Sequence, residues 1–143
     1  MLIGLNPLLS AHLLHALAAM GHGDKIVLVD ANYPATRGRR LIEILGADIV
    51  AALDAVLSVL PVDTFVPHPA MVMEVVGDPD AVPPVCAAMN ALLKQHGWPA
   101  AVGIERHEFY AAAESAYAIV RTGERRFYGN ILLTKGVIPP EGG

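Results

Sequence analysis

The sequence predicts an α/β fold: a single three-layer α/β/α domain around a largely parallel sheet, with an antiparallel edge expected at the C-terminus. Three observations carry this expectation. Short β-branched runs alternate with segments of helical period nearly throughout the chain. The 143 residues contain no internal repeat, low-complexity tract or linker, so residues 1–143 read as one domain. The last two strand-like runs have no helix between them, which sets them apart from the parallel pattern.

The elements come in this order. Ser10 is a suitable N-cap for a helix carrying Leu13, Leu14 and Leu17 at helical spacing, with Gly21 as its stop. Lys25 to Asp30 is too short and too β-branched for a helix and reads as a buried strand ending in a carboxylate. Arg40 to Leu45 alternates loosely, as a second strand would. Asp48 caps an apolar helix through Leu60 that Pro61 ends. Met71 to Val76 is a strand; Pro83 and Pro84 start a helix that Gly97 closes. Ala100 to Arg106 is a strand, His107 to Ser115 a short helix, Tyr117 to Arg121 a strand, and Gly129 to Leu133 opens the final strand.

Composition excludes several classes of function. Hydrophobic residues make up 54% of the chain and charged residues 17%, against a usual charged share of about 25%. So few charges leave apolar surface to be covered by other subunits, and a homo-oligomer is expected. The net charge of −4 argues against a nucleic-acid partner. The basic runs Arg37–Arg40 and Arg121–Arg126 are short and interrupted and read as solvated loop charge. Met1 to Gly23 lacks Lys, Arg, Asp and Glu, but Pro7, His12, His15 and His22 interrupt it and no basic region precedes it. Neither a signal peptide nor a membrane span is expected, and the protein is placed in the cytoplasm. Cys86, the single cysteine, sits in an apolar stretch and reads as a small buried hydrophobe.

The candidate chemistry lies at strand ends. Asp30 stands at the carboxyl end of the first strand, where open α/β sheets bind ligands, although a turn or capping carboxylate would look the same. Glu105-Arg106-His107 occupies a similar position. His22 lies between two glycines, free to project an imidazole suited to proton transfer near neutral pH; a surface histidine beside a helix C-terminus is the alternative. Tyr128-Gly129-Asn130 precedes the last strand and offers polar groups and a ring face to a neutral polyol, or simply a turn. His12 and His15 could share a helical face, but HExxH and CxxC are lacking and the other histidines are scattered, so no metal is expected. GxGxxG after a strand, the P-loop and GxSxG are also lacking, which removes the main support for nucleotide binding and serine hydrolysis.

Pro7-Leu8-Leu9-Ser10, Met20-Gly21-His22-Gly23-Asp24 and Val29-Asp30-Ala31 resemble the N-terminal part of the L-fucose mutarotase family, which is related to the D-ribose pyranases. Ala118 to Arg125 and Tyr128-Gly129-Asn130-Ile131-Leu132-Leu133 are similar to that family's closing motif, and the order and spacing hold over the whole chain. The resemblance implies a ring-shaped homo-oligomer, often a decamer, and cofactor-free interconversion of the α and β anomers of a free monosaccharide. It implies that His22 is the acid/base residue, with Asp30 a candidate base, and that Asp30, Arg106, Tyr128, Gly129 and Asn130 hold the sugar. The glycine at position 129 resembles the fucose branch more than the ribose branch, where alanine is expected. Other readings are a pyranose/furanose interconversion of the ribose type, an aldose–ketose isomerase using Glu105 or Asp30 as base, and a sugar-binding accessory of a transport system.

Overall fold

Side chains of the strands alternate between two apolar clusters, and that alternation organises the molecule. The computed structural model describes residues 1–35 and 40–142. In chain order the described elements are α1 (Ala11–Ala19), β1 (Lys25–Val29), β2 (Arg40–Ile44), α2 (Ile49–Leu57) and β3 (Ala70–Met73). They continue with α3 (Pro84–Gln95), β4 (Val102–Ile104), α4 (Arg106–Glu114), β5 (Ala118–Thr122) and β6 (Ile131–Thr134). Ile26 and Leu28 of β1, Ala118 and Val120 of β5, and Ile131 and Leu133 of β6 face a core built with α1, α2 and α3. Val27, Val29, Ile119 and Leu132 face the opposite way, onto Phe109 and Ala113 of α4. This is the expected three-layer arrangement, produced by the period of two along each strand. Phe109 is wholly buried, and truncating such an anchor to alanine costs about 3–5 kcal/mol.

Local chemistry sets the helix ends. The Ser10 hydroxyl accepts the Leu13 N–H at 3.3 Å, and the Asp48 carboxylate accepts the Ala51 N–H at 2.8 Å, each satisfying a donor that has no partner inside its helix. Pro84 opens α3, where a missing N–H does no harm, and Gly97 closes it at φ 85°.

The sheet order is β2-β5-β1-β6-β3-β4, with β1, β2 and β5 mutually parallel and β3 parallel to β4. β6 runs antiparallel to both of its neighbours, β1 and β3. The antiparallel C-terminal strand is therefore present, but it lies inside the sheet, and β5 and β6 are not partners. Its composition explains the position: all four residues of β6 are buried, as an inner strand covered on both faces requires. The actual edges are short or charged, β4 with three residues and β2 with Arg40 and Glu43. In the register of β6 on β1, Leu28 stands opposite Ile131 and Lys25 opposite Thr134. The residues just before β6 therefore arrive at the carboxyl end of β1, and those just after it arrive at the amino end. Among the described residues, no helix is long and apolar enough to cross a membrane.

Candidate active site

The antiparallel placement of β6 brings Asn130 against Asp30. The Asn130 amide oxygen accepts the Asp30 backbone N–H at 2.8 Å, and one Asp30 carboxylate oxygen accepts the Asn32 N–H at 2.9 Å. Asp30 is buried, and its carboxyl is held above its ordinary value chiefly by desolvation. The nearby Glu124 charge adds to that shift, while hydrogen bonds from Asn32, Asn130 and Tyr33 oppose it. Both residues open onto a cleft of about 280 Å³, whose further lining includes Arg106, Tyr128, Tyr33 and Tyr110. Met73, Val76 and Phe127 supply an apolar side. The volume falls just under the usual range of about 300–1,000 Å³ for drug-sized ligands, so the cleft suits a small polar molecule. A slightly larger groove beside α1, lined by Leu14, Leu17, Val59 and Ile138, is apolar. Its lysine, Lys135, is committed to the carbonyls of Leu17 and Met20.

The loop between β5 and β6 is held tightly. Buried Glu124 accepts the Arg126 backbone N–H at 2.9 Å, Arg126 Nε at 2.8 Å and Nη2 at 3.1 Å, and the Ile49 N–H of α2 at 3.2 Å. The Arg126 side-chain hydrogen bonds, opposed by desolvation, pull the Glu124 carboxyl from its ordinary 4.5 down to about 2. Tyr128 adopts φ 66°, unusual for a residue with a side chain, and its hydroxyl accepts the Val76 N–H at 3.1 Å. That leaves the phenolic hydrogen free to donate into the cleft. Gly129 does not line the cleft: a Cβ there would lie 2.7 Å from Glu124 Cγ, so its absent side chain admits the loop to the Glu124 anchor.

His22 lies elsewhere. It precedes β1, whereas Asp30 follows it, and a five-residue strand at about 3.3 Å per residue separates the two by roughly 16 Å. Within one chain, His22 is not part of the Asp30 cleft. It forms a dyad instead: His22 Nε2 is 3.0 Å from Asp63 Oδ1, which also accepts the Phe65 N–H at 3.1 Å. Although burial acts to raise the Asp63 carboxyl, the Phe65 and His22 hydrogen bonds outweigh it and hold the group below its ordinary value. An ionised Asp63 accepts a proton from Nε2, which leaves Nδ1 as the ring nitrogen open to proton exchange with another group. The imidazole is 42% exposed and packs 5.2 Å from the protruding Phe65 ring.

The model of the RbsD / FucU transport protein family matches residues 3–138. The chain belongs to the RbsD / FucU family. It is 46% identical to the fucose mutarotase of Homo sapiens over 143 residues, 94% of this chain and 93% of the relative. Among solved structures, it resembles the fucose mutarotase in complex with L-fucose from Streptococcus pneumoniae, with TM-score 0.90 and 38% identity over 96% of this chain and 100% of that one. It resembles the RbsD of Bacillus subtilis complexed with D-ribose less closely, with TM-score 0.74 and 25% identity over 92% and 95% of the two chains. The sequence resemblance is borne out.

Of the residues singled out in this RbsD / FucU chain, the fold gathers Asp30, Arg106, Tyr128 and Asn130 in one cleft. Glu105 is engaged otherwise: its Oε2 accepts the His107 and Glu108 N–H groups at 2.8 and 3.2 Å and caps α4. Those bonds and nearby positive charge lower its carboxyl, which makes it a poor base. Arg121 pairs with Glu43 and Arg126 with Glu124, so that basic run is not merely solvated; Arg37 and Arg39 lie outside the described residues. Sequence reasoning misses Asp63 and Glu124. Asp63 follows Pro61 in an undistinguished loop. Glu124 lies inside the closing motif, and its partner Ile49, 75 residues away, gives no local signal.

Proposed function

We propose that the chain is a cofactor-free sugar mutarotase, interconverting the α and β anomers of a free monosaccharide, with L-fucose as its first substrate. The observation that carries this reading is the Asp30 cleft, where a buried carboxyl raised above its ordinary value meets Asn130, Arg106 and the Tyr128 hydroxyl. The 46% identity to a fucose mutarotase supports fucose over ribose, as does the glycine at position 129. Ring opening takes a proton from the anomeric hydroxyl and delivers one to the ring oxygen as the C1–O5 bond breaks. The carbonyl turns over and the ring closes on its other face. Asp30 accepts the first proton, while Tyr128, Asn130 and Arg106 hold the hydroxyls; the apolar Met73, Val76 and Phe127 side receives a deoxy carbon. Positioned proton transfer of this kind is worth about 10²–10⁴-fold.

His22 is the proton donor, and it reaches the cleft from a neighbouring subunit. Its distance from Asp30 within one chain supports that assignment, as do the exposed Phe65 and Val66 beside it, an apolar surface suited to a partner. A ring-shaped homo-oligomer, a decamer in the expected form and located in the cytoplasm, would repeat this contact at every site.

Saturation-transfer NMR of L-fucose in D₂O tests the reading. Magnetisation should pass between the α and β signals faster with protein than without it, with no deuterium entering at C2. Deuterium at C2 would instead establish an aldose–ketose isomerase. Binding without faster exchange would establish a sugar-binding accessory.

A further inference from the structure

We propose that Glu124 is a positioning residue for the reaction at Asp30: it fixes the loop carrying Tyr128 and Asn130 and the two peptides that flank Asp30. The inference rests on the mutarotase reading of the cleft, but its geometry is independent of substrate. Glu124 is almost wholly buried and does not line the cleft. Its two carboxylate oxygens take four donors, three from Arg126 and one from the first residue of α2. Its backbone is equally engaged, since its carbonyl accepts the Ala31 N–H at 2.8 Å and its N–H donates to Thr122 Oγ1 at 3.2 Å. Thr122 Oγ1 in turn donates to the Val29 carbonyl at 2.9 Å. These bonds tie residue 124 to the two peptides flanking Asp30.

The loop that leaves this anchor has little freedom. Gly129 packs on the Glu124 side chain, Tyr128 is held in the left-handed region, and Asn130 closes onto Asp30. Release of the carboxylate would remove the support for both cleft residues at once. Asp30 faces Arg106 and Tyr110 from α4, Tyr33 from the loop after β1 and Tyr128 from the loop before β6, with Glu124 behind it. Glu124 itself is faced by Arg126, which also senses Asp48. The Asn130 hydrogen bond, which lowers the Asp30 carboxyl, outweighs the like charge of Glu124, so the position of the loop governs Asp30 more than that charge does.

Glu124→Gln separates this role from a merely structural one. The Asp30 carboxyl is followed by carbon NMR in the sugar-free oligomer labelled at aspartate Cγ, with Asp30→Asn for assignment. Releasing the loop loosens the Asn130 hydrogen bond, which counts for more at Asp30 than the Glu124 charge, so the variant should titrate Asp30 at higher pH than the wild type. Anomer exchange at saturating L-fucose should fall roughly tenfold or more in the folded protein. A residue needed only for stability would lower the melting temperature and leave the Asp30 titration in place. An unmoved titration, or wild-type exchange, overturns the proposal. If Glu124→Gln does not fold, Arg126→Gln is titrated instead: loosening the same anchor should move Asp30 to higher pH, and an unmoved Asp30 is again contrary. Failure of the wild type to exchange L-fucose would refute the mutarotase reading, whereas the titration reports on Glu124 alone.

Discussion

The Asn130 side chain accepts the backbone N–H of Asp30 across 100 residues of sequence, at 2.8 Å. This bond joins the two strand ends that make the cleft, and it exists because β6 runs antiparallel beside β1. Asn130→Ala removes it together with a polar group from the cleft. A neutral hydrogen bond contributes about 0.5–1.5 kcal/mol, so L-fucose affinity should fall roughly 2- to 13-fold. Titration by NMR or calorimetry reads this directly; wild-type affinity would remove Asn130 from the sugar site.

Asp30→Asn should separate stability from activity. A carboxyl whose value is raised in the folded state contributes stability that is lost as the pH rises through it. Asparagine keeps the side-chain oxygen but removes the buried charge. The variant should melt at or above the wild-type temperature at pH 7, while anomer exchange falls about 100-fold or more. A marked loss of thermal stability would mean that the ionised carboxylate holds the fold together.

Acid sensitivity should trace to Glu124. Its carboxyl lies near 2 in the folded protein against an ordinary 4.5. The stability it confers is full above the ordinary value and is lost as the pH falls toward the folded one. Urea midpoints should therefore drop between about pH 5 and pH 3, and Glu124→Gln should flatten that slope at a cost of about 1–3 kcal/mol at neutral pH. An unchanged slope would show that other carboxylates govern acid unfolding.

Substrate preference should track the family branch. The kcat/KM for L-fucose should exceed that for D-ribose, since the apolar wall of Met73, Val76 and Phe127 has no counterpart group to meet on a pentose. Measured values in the opposite order would contradict this assignment.

Element types were legible because each rests on local chemistry: the Ser10 and Asp48 caps, the Pro83-Pro84 start and the Lys25–Val29 run all act within a few residues. The position of β6 was not, because an inner and an edge strand differ in what covers them; only the wholly apolar Ile131-Leu132-Leu133 run hinted at burial on both sides. The same limit applies to the site. Asp30 could be placed at a strand end from sequence, but its raised carboxyl depends chiefly on burial, with Asn130 opposing and Glu124 adding to it, and the fold delivers these surroundings from afar. His22 stands out for its flanking glycines, yet its partner Asp63 is reached only because residues 62 and 135 form a bridge beside β1.

The proposed site has His22 supplied to the Asp30 cleft by a neighbouring subunit, and this sharing can be tested directly. The decisive measurement mixes two variants, His22→Ala and Asp30→Asn, after reversible dissociation. Each alone should be folded, assembled and nearly inactive. A cleft in the mixed oligomer works when its own chain keeps Asp30 and its neighbour keeps His22, which random equal mixing satisfies at about one site in four. Recovery of roughly a quarter of wild-type L-fucose exchange is therefore expected. No recovery in hybrid oligomers confirmed by native mass spectrometry would contradict a shared site.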